Sequence, residues 1–125
     1  MENKNPKNIL VVDDDREFVD ALKTFLVGHG YSVVIARDAL FATQNACKES
    51  TALLILDLGL PCGGGFFVLE NIRKFIENTK LPIIISTANV SVGVEKKCRN
   101  LGANDFIEKP YDLEKLLEII KKYLP

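Results

Sequence analysis

Three consecutive aspartates, Asp13-Asp14-Asp15, follow directly on the apolar run 9–12. Carboxylates set this close repel one another and are costly to bury beside apolar residues. The other apolar runs also end on reactive side chains. "ALLIL" (52–56) ends on Asp57, "LPIIIST" (81–87) on Ser86-Thr87, and "NDFIEKP" (104–110) on Lys109-Pro110. Only "YSVVIA" (31–36) is followed by nothing more than Arg37-Asp38. If the first and third runs lie side by side, Asp13, Asp14 and Asp57 share one pocket holding a charge of about −3, and a cation must relieve it. Lys109 supplies one positive charge. The remainder asks for a divalent ion; an all-oxygen donor set favours Mg2+, Ca2+ or Mn2+, and few carboxylates with several retained waters fit Mg2+. Asp15 plays a different part. Followed by Arg16, Glu17 and an apolar-periodic run, it reads as a helix N-cap. Capping alone could explain the triplet in isolation, but the other run ends argue against that.

Alternating strands and helices bring these groups together. Between the five apolar runs lie five helical stretches. In the first, Phe18, Ala21, Leu22, Phe25 and Leu26 fall on one face, with Gly28 and Gly30 as stop signals and His29 at the helix end. The second covers 38–50, with Ala39, Ala42 and Ala46 on one side, and the third runs from Phe66 to Thr79. The fourth, 89–101, is weaker, because Val90, Val92, Gly93 and Val94 lower helix propensity. The fifth, 112–124, carries Leu113, Leu116, Leu117, Ile120 and Leu124 on one stripe. Continuous apolar strands mean that both sheet faces are covered, so the pattern predicts an α/β fold with a parallel sheet and helices on both sides. In such a sheet all strand C-termini share one edge, where ligands bind.

Composition removes several function classes. The chain has 125 residues, enough for one domain with a real core, and a net charge of −1 with no basic block. A direct nucleic-acid surface is not expected. Cys47, Cys62 and Cys98 have no metal-like spacing and His29 is the single histidine, which argues against zinc and for reduced thiols in a cytoplasmic protein. The polar start "MENKNPKN" does not read as a signal peptide, and no apolar run is long enough to span a membrane.

The motifs "LVVDDD", "LLILDLGLP" followed by "GGFFVLENIR", "PIIISTAN" and "LGANDFIEKPYDLEKL" together resemble the response-regulator receiver domain of two-component signalling, the CheY-like superfamily. The likeness covers roughly residues 8–124 and makes 1–125 a single receiver domain. It implies a flavodoxin-like (βα)5 doubly wound sheet with strand order 2-1-3-4-5. It also implies that Asp57 is the phosphoacceptor and that Asp13 and Asp14 hold Mg2+ with the main-chain carbonyl of Gly59. By the same resemblance Thr87 is the site hydroxyl, Lys109 the phosphate-binding lysine, Phe106 the aromatic switch, and Pro110 follows a cis peptide bond. The implied donor is a phosphohistidine on a histidine kinase or histidine phosphotransfer protein. The implied output is a repacked surface of fourth helix, fifth strand and fifth helix, read by a downstream partner or by an effector domain.

The sequence departs from many receivers at Cys62-Gly63-Gly64-Gly65, where three glycines predict a loop of high backbone freedom beside Asp57. Cys62 reads as a non-reactive thiol. Phe106 lacks a tyrosine hydroxyl, so no switch through that hydroxyl is open to this chain, and Ala88 is small enough to leave the site open. Three other readings compete. An aspartate-nucleophile phosphatase of the haloacid-dehalogenase type would use the D-x-D within the triplet, but Glu17 does not fit its motif and the chain is short for it. A flavin or nucleotide binder would want a glycine-rich loop after the first strand. A degenerate receiver acting only as an interaction module is disfavoured because all five chemical positions are filled.

Overall fold

A computed structural model describes residues 8–60, 64–75 and 81–125. The order of elements is β1 (Asn8–Val12), α1 (Arg16–Gly28), β2 (Ser32–Ala36), α2 (Ala39–Ala46), β3 (Thr51–Leu56), α3 (Gly64–Phe75), β4 (Ile83–Thr87), α4 (Val94–Asn100), β5 (Asp105–Glu108) and α5 (Leu113–Tyr123). The five strands form one parallel sheet in the order β2-β1-β3-β4-β5. Reversal of the winding direction between β1 and β3 is what opens a crevice at their C-terminal ends.

The unbroken apolar strands are explained by two cores, one on each face. Leu10, Val12, Leu54, Leu56, Ile83 and Ile85 pack with residues of α2, α3 and α4. Their immediate neighbours Ile9, Val11, Leu53, Ile55 and Ile84 pack with residues of α1 and α5. Successive strand side chains point to opposite faces, so a strand buried on both sides must be apolar at every position.

Helix boundaries differ from the sequence expectation where local chemistry intervenes. In α1 the buried residues are Val19, Leu22 and Leu26, whereas Ala21 is exposed and Phe18 and Phe25 are half-buried. α2 starts at its cap Asp38, which accepts the Phe41 N–H at 2.8 Å, and ends early at Ala46. α4 shrinks to seven residues because Gly93, at φ 85°, ends the preceding turn in a left-handed conformation that only glycine adopts cheaply.

α3 begins two residues before the expected Phe66. Gly64 and Gly65 are helical and buried, not part of a free loop. A Cβ on Gly65 would lie 2.2 Å from the Leu58 Cα, so glycine is required there for close backbone approach. The loop expectation for Cys62 and Gly63, and that for the Cys62 thiol, lie outside the described residues. Of the other cysteines, Cys47 is exposed, and Cys98 is buried in the core. No helix among the described residues is long and apolar enough to cross a membrane.

Candidate active site at the carboxyl edge of the sheet

Each reactive residue is fixed by a backbone bond that extends the sheet by one step. The Asp13 N–H donates to the Ala36 carbonyl at 3.1 Å, the Asp57 N–H to Val12 at 2.9 Å, and the Lys109 N–H to Thr87 at 2.9 Å. Rigid strand ends thereby place three side chains in one crevice. Asp13, Asp14 and Asp57 each offer an oxygen within 4.8 Å of the others. Lys109 Nζ donates to Asp13 Oδ2 at 2.6 Å and to Asp57 Oδ2 at 3.2 Å. The Lys109–Pro110 peptide bond is cis.

The three adjacent aspartates divide the work. The Asp13 side chain is only 2% exposed, and its Oδ1 also accepts the Asp15 N–H at 2.9 Å. Asp14 is exposed at the rim. Asp15 caps α1, accepting the Phe18 N–H at 3.2 Å. A capping carboxylate satisfies one of the otherwise unbonded donors of the first turn.

Electrostatics refine the expectation of mutual repulsion. Burial is the main cause that raises the Asp13 pKa, the Lys109 and Asp15 hydrogen bonds oppose it, and Asp57 is the smallest contributor. Burial would lower the Lys109 pKa, but its hydrogen bonds and charge pairing with Asp13 and Asp57 outweigh that and leave it raised. Lys109 therefore stays a cation, while two further carboxylate charges keep the crevice electronegative. Hard oxygen donors converging from strand ends fit a small dication.

Other residues singled out in the sequence lie beside this cluster without bonding to it. The Thr87 hydroxyl accepts the Asn89 N–H at 3.2 Å, and no hydrogen bond joins it to Asp57 among the described residues. Gly59 donates its N–H to Asp57 Oδ1 at 3.0 Å, which steadies that carboxylate. Phe106, half-buried on β5, forms part of the wall of two open cavities. One, of about 610 Å³, extends towards Tyr111 and Lys115, and the other, of about 410 Å³, extends towards Val90–Lys96.

The residues 9–121 match the family model of the response regulator receiver domain. The chain belongs to that family. A probable transcriptional regulator, ycf29, from Porphyra purpurea is 32% identical over 117 residues, covering 94% of this chain and 56% of that protein. A CheY-like response regulator receiver domain protein from Methanospirillum hungatei superposes with a TM-score of 0.86 at 34% identity, covering 95% of this chain and 94% of that one. The receiver domain of the sensor histidine kinase PA1611 from Pseudomonas aeruginosa, solved with a magnesium ion coordinated in its active-site cleft, superposes at 0.84 with 27% identity, covering 95% and 98%. The chain spans about half the length of the curated relatives it matches. Receivers of this family are signalling switches of two-component systems, and the observed strand order is theirs. Membership of this family decides against the haloacid-dehalogenase-type phosphatase.

Three groups, two of them beside the site, escaped the sequence reading. Phe18 places its ring 4.2 Å from Lys109 Nζ. The Tyr111 hydroxyl bonds the buried Ser86 Oγ at 2.7 Å. At the opposite sheet edge, Arg73 is enclosed by carbonyls. The aromatic next to Lys109-Pro110 was a usable signal for Tyr111. Phe18 carried none, since its spacing is also that of a core residue.

Proposed function

We propose that this chain is a single phosphoacceptor receiver domain, residues 1–125, in which Asp57 takes a phosphoryl group from a phosphohistidine. The observation that carries the reading is Lys109 Nζ bridging Asp13 and Asp57 at the strand ends. An Asp57 carboxylate oxygen attacks phosphorus, the P–N bond breaks, and its electron pair stays on the departing imidazole. Attack by water on phosphorus later breaks the new P–O bond and restores the carboxylate. The obstacle is an anion approaching an anion. Lys109 offsets it by following the charge that builds on the phosphoryl oxygens, a role suited to a compact ammonium on a flexible stem. Asp13, Asp14, Asp57 and the Gly59 carbonyl would hold Mg2+, which when bound supplies further neutralisation of phosphoryl oxygens.

Phosphorylation adds charge and strong acceptor oxygens at Asp57. The Thr87 hydroxyl, which accepts from Asn89 and donates to no group among the described residues, turns to donate to them. Phe106 rotates towards the space this vacates, and the two open cavities that Phe106 lines support that freedom. The changed surface of α4, β5 and α5 is then read by an effector domain or downstream partner. The donor is a histidine kinase or histidine phosphotransfer protein, and the setting is the cytoplasm. With all five chemical positions filled, a purely structural interaction module is the weaker reading.

The test is incubation with magnesium and acetyl phosphate followed by intact mass. A gain of one phosphoryl group, absent in Asp57→Asn, is expected. An unchanged mass in the wild-type chain would overturn the reading.

A further inference from the structure

The Lys109 ammonium has a second partner besides the carboxylates: the face of Phe18, 4.2 Å from Nζ to the ring centroid. The aromatic face is electron-rich and attracts a cation within about 6 Å. Phe18 is not one of the buried core residues of α1, which are Val19, Leu22 and Leu26. Its ring is half-buried and held from several sides. The Asp15 cap grips its N–H at 3.2 Å. The Tyr111 ring meets it edge-on, with centroids 6.0 Å apart and planes at 83°. Tyr111 is in turn tied through its hydroxyl to Ser86 Oγ at 2.7 Å, on the same strand as Thr87. A ring fixed by a helix cap and by β4 is a firm platform.

We propose that Phe18 is a positioning residue for Lys109, its ring face seating the ammonium at the mouth of the carboxylate pocket. The inference rests on the phosphoacceptor reading for its chemical consequence, but the seat itself does not. Lysine has a long stem and loses much rotamer freedom when its head is fixed. A carboxylate can fix it only by accepting its protons, which competes with an incoming phosphoryl oxygen. A ring attracts the charge without accepting a directional N–H bond, so the ammonium stays near the site with donors free. The third aspartate thereby acts on the chemistry at one remove, through the cap that sets Phe18.

Four chains decide it: wild type, Phe18→Leu, Phe18→Trp, and a chain with a multiply fluorinated phenylalanine at position 18, which drains the ring face without changing its shape. The first measurement is the ring-current shift of the Lys109 ε-methylene protons. The second is the rate of labelling by acetyl phosphate, beside the magnesium Kd. Phe18→Leu should lose the upfield shift and label about fivefold more slowly at an unchanged magnesium Kd. Phe18→Trp should restore the rate, and fluorination should slow it. Equal rates for Phe18→Leu, Phe18→Trp and wild type would overturn the proposal, as would a fluorinated chain at full rate. If the wild-type chain does not label, the phosphoacceptor reading falls, and the shift still decides the seat. Its persistence in Phe18→Leu would refute the seat, and its loss would uphold it.

Discussion

Lys109 and Arg73 are both cations withdrawn from solvent, at opposite edges of the same sheet, and their surroundings could hardly differ more. Lys109 meets the carboxylates of Asp13 and Asp57. Arg73 meets no carboxylate among the described residues. Its Nε and Nη2 donate to the carbonyls of Gly102 and Leu81 and to Asn104 Oδ1, at 2.8–3.1 Å. Asn104 Oδ1 also accepts the Ile83 N–H at 2.8 Å, so the guanidinium ties α3 to the start of β4 and the turn before β5. Burial lowers the Arg73 pKa, whereas the carboxylates raise that of Lys109 against the same effect of burial. A rigid, many-pronged donor among neutral acceptors makes a clamp. A single-headed ammonium shared between two carboxylates makes a site that can change partners.

This contrast can be broken by substitution. The largest effect is expected from Lys109→Ala, which should slow labelling by acetyl phosphate by about a hundredfold while far-ultraviolet circular dichroism stays native. Unaltered labelling would remove Lys109 from the chemistry. Arg73→Met should behave in the opposite way. It removes the donors that the carbonyls of Gly102 and Leu81 accept from and should cost about 2 kcal/mol of stability in a urea titration, with labelling of the folded protein unchanged. A labelling defect as large as that of Lys109→Ala would erase the distinction between the two edges. Gly102→Ala should cost about 1 kcal/mol by the same titration, because φ is 105° and the new Cβ would lie 2.7 Å from Arg73 Nε. An unshifted urea midpoint would show that the clamp yields.

The smallest effect concerns alkaline stability. Burial, the main cause, pushes the Tyr111 phenol up to about 12, with Asp13 and Asp57 adding to it and Ser86 opposing it. Burial and the hydrogen bond to Asp105 likewise push Tyr123 up to about 12. The folded chain keeps these protons where the unfolded chain releases them near pH 10. The stability they contribute is therefore complete below about pH 10 and is lost as pH climbs through about 12. Phenolate absorbance should show two late-titrating tyrosines, and Tyr111→Phe should remove one. Ionisation of Tyr111 near pH 10 would contradict its tight packing at the carboxyl edge, and ionisation of Tyr123 there would contradict its bond to Asp105 at the start of β5.

Much of this architecture could be read along the chain. The five apolar runs and the α5 stripe come from patterns of hydrophobicity, and periodicity survives because the sheet has to be buried on both faces. Boundaries were less legible at α4, where Gly93 sets the start, and at α3, where Gly64 and Gly65 looked like a loop. Both are helical, and residue 65 must be glycine because it lies against the Leu58 backbone, a contact that no local pattern reveals. Likewise Ala21 shared the expected stripe of α1 while Val19 took its place in the core, a rotation set by packing.

The sequence by itself determined which side chains stand at the strand ends, because alternating strands and helices force every strand to point the same way. It also determined that Asp13, Asp14 and Asp57, once the first and third strands are neighbours, need a cation, since that follows from their charge. The cap at Asp15 was legible too, and the structure bears it out; only the tertiary structure decided how the other two aspartates of the triplet share the work, with Asp13 buried against Lys109 and Asp14 exposed at the rim. It alone brought Phe18 beneath Lys109 and Arg73 among carbonyls. Such pairings join residues distant in sequence, so they depend on the direction in which each helix returns to the sheet, which composition and spacing do not encode.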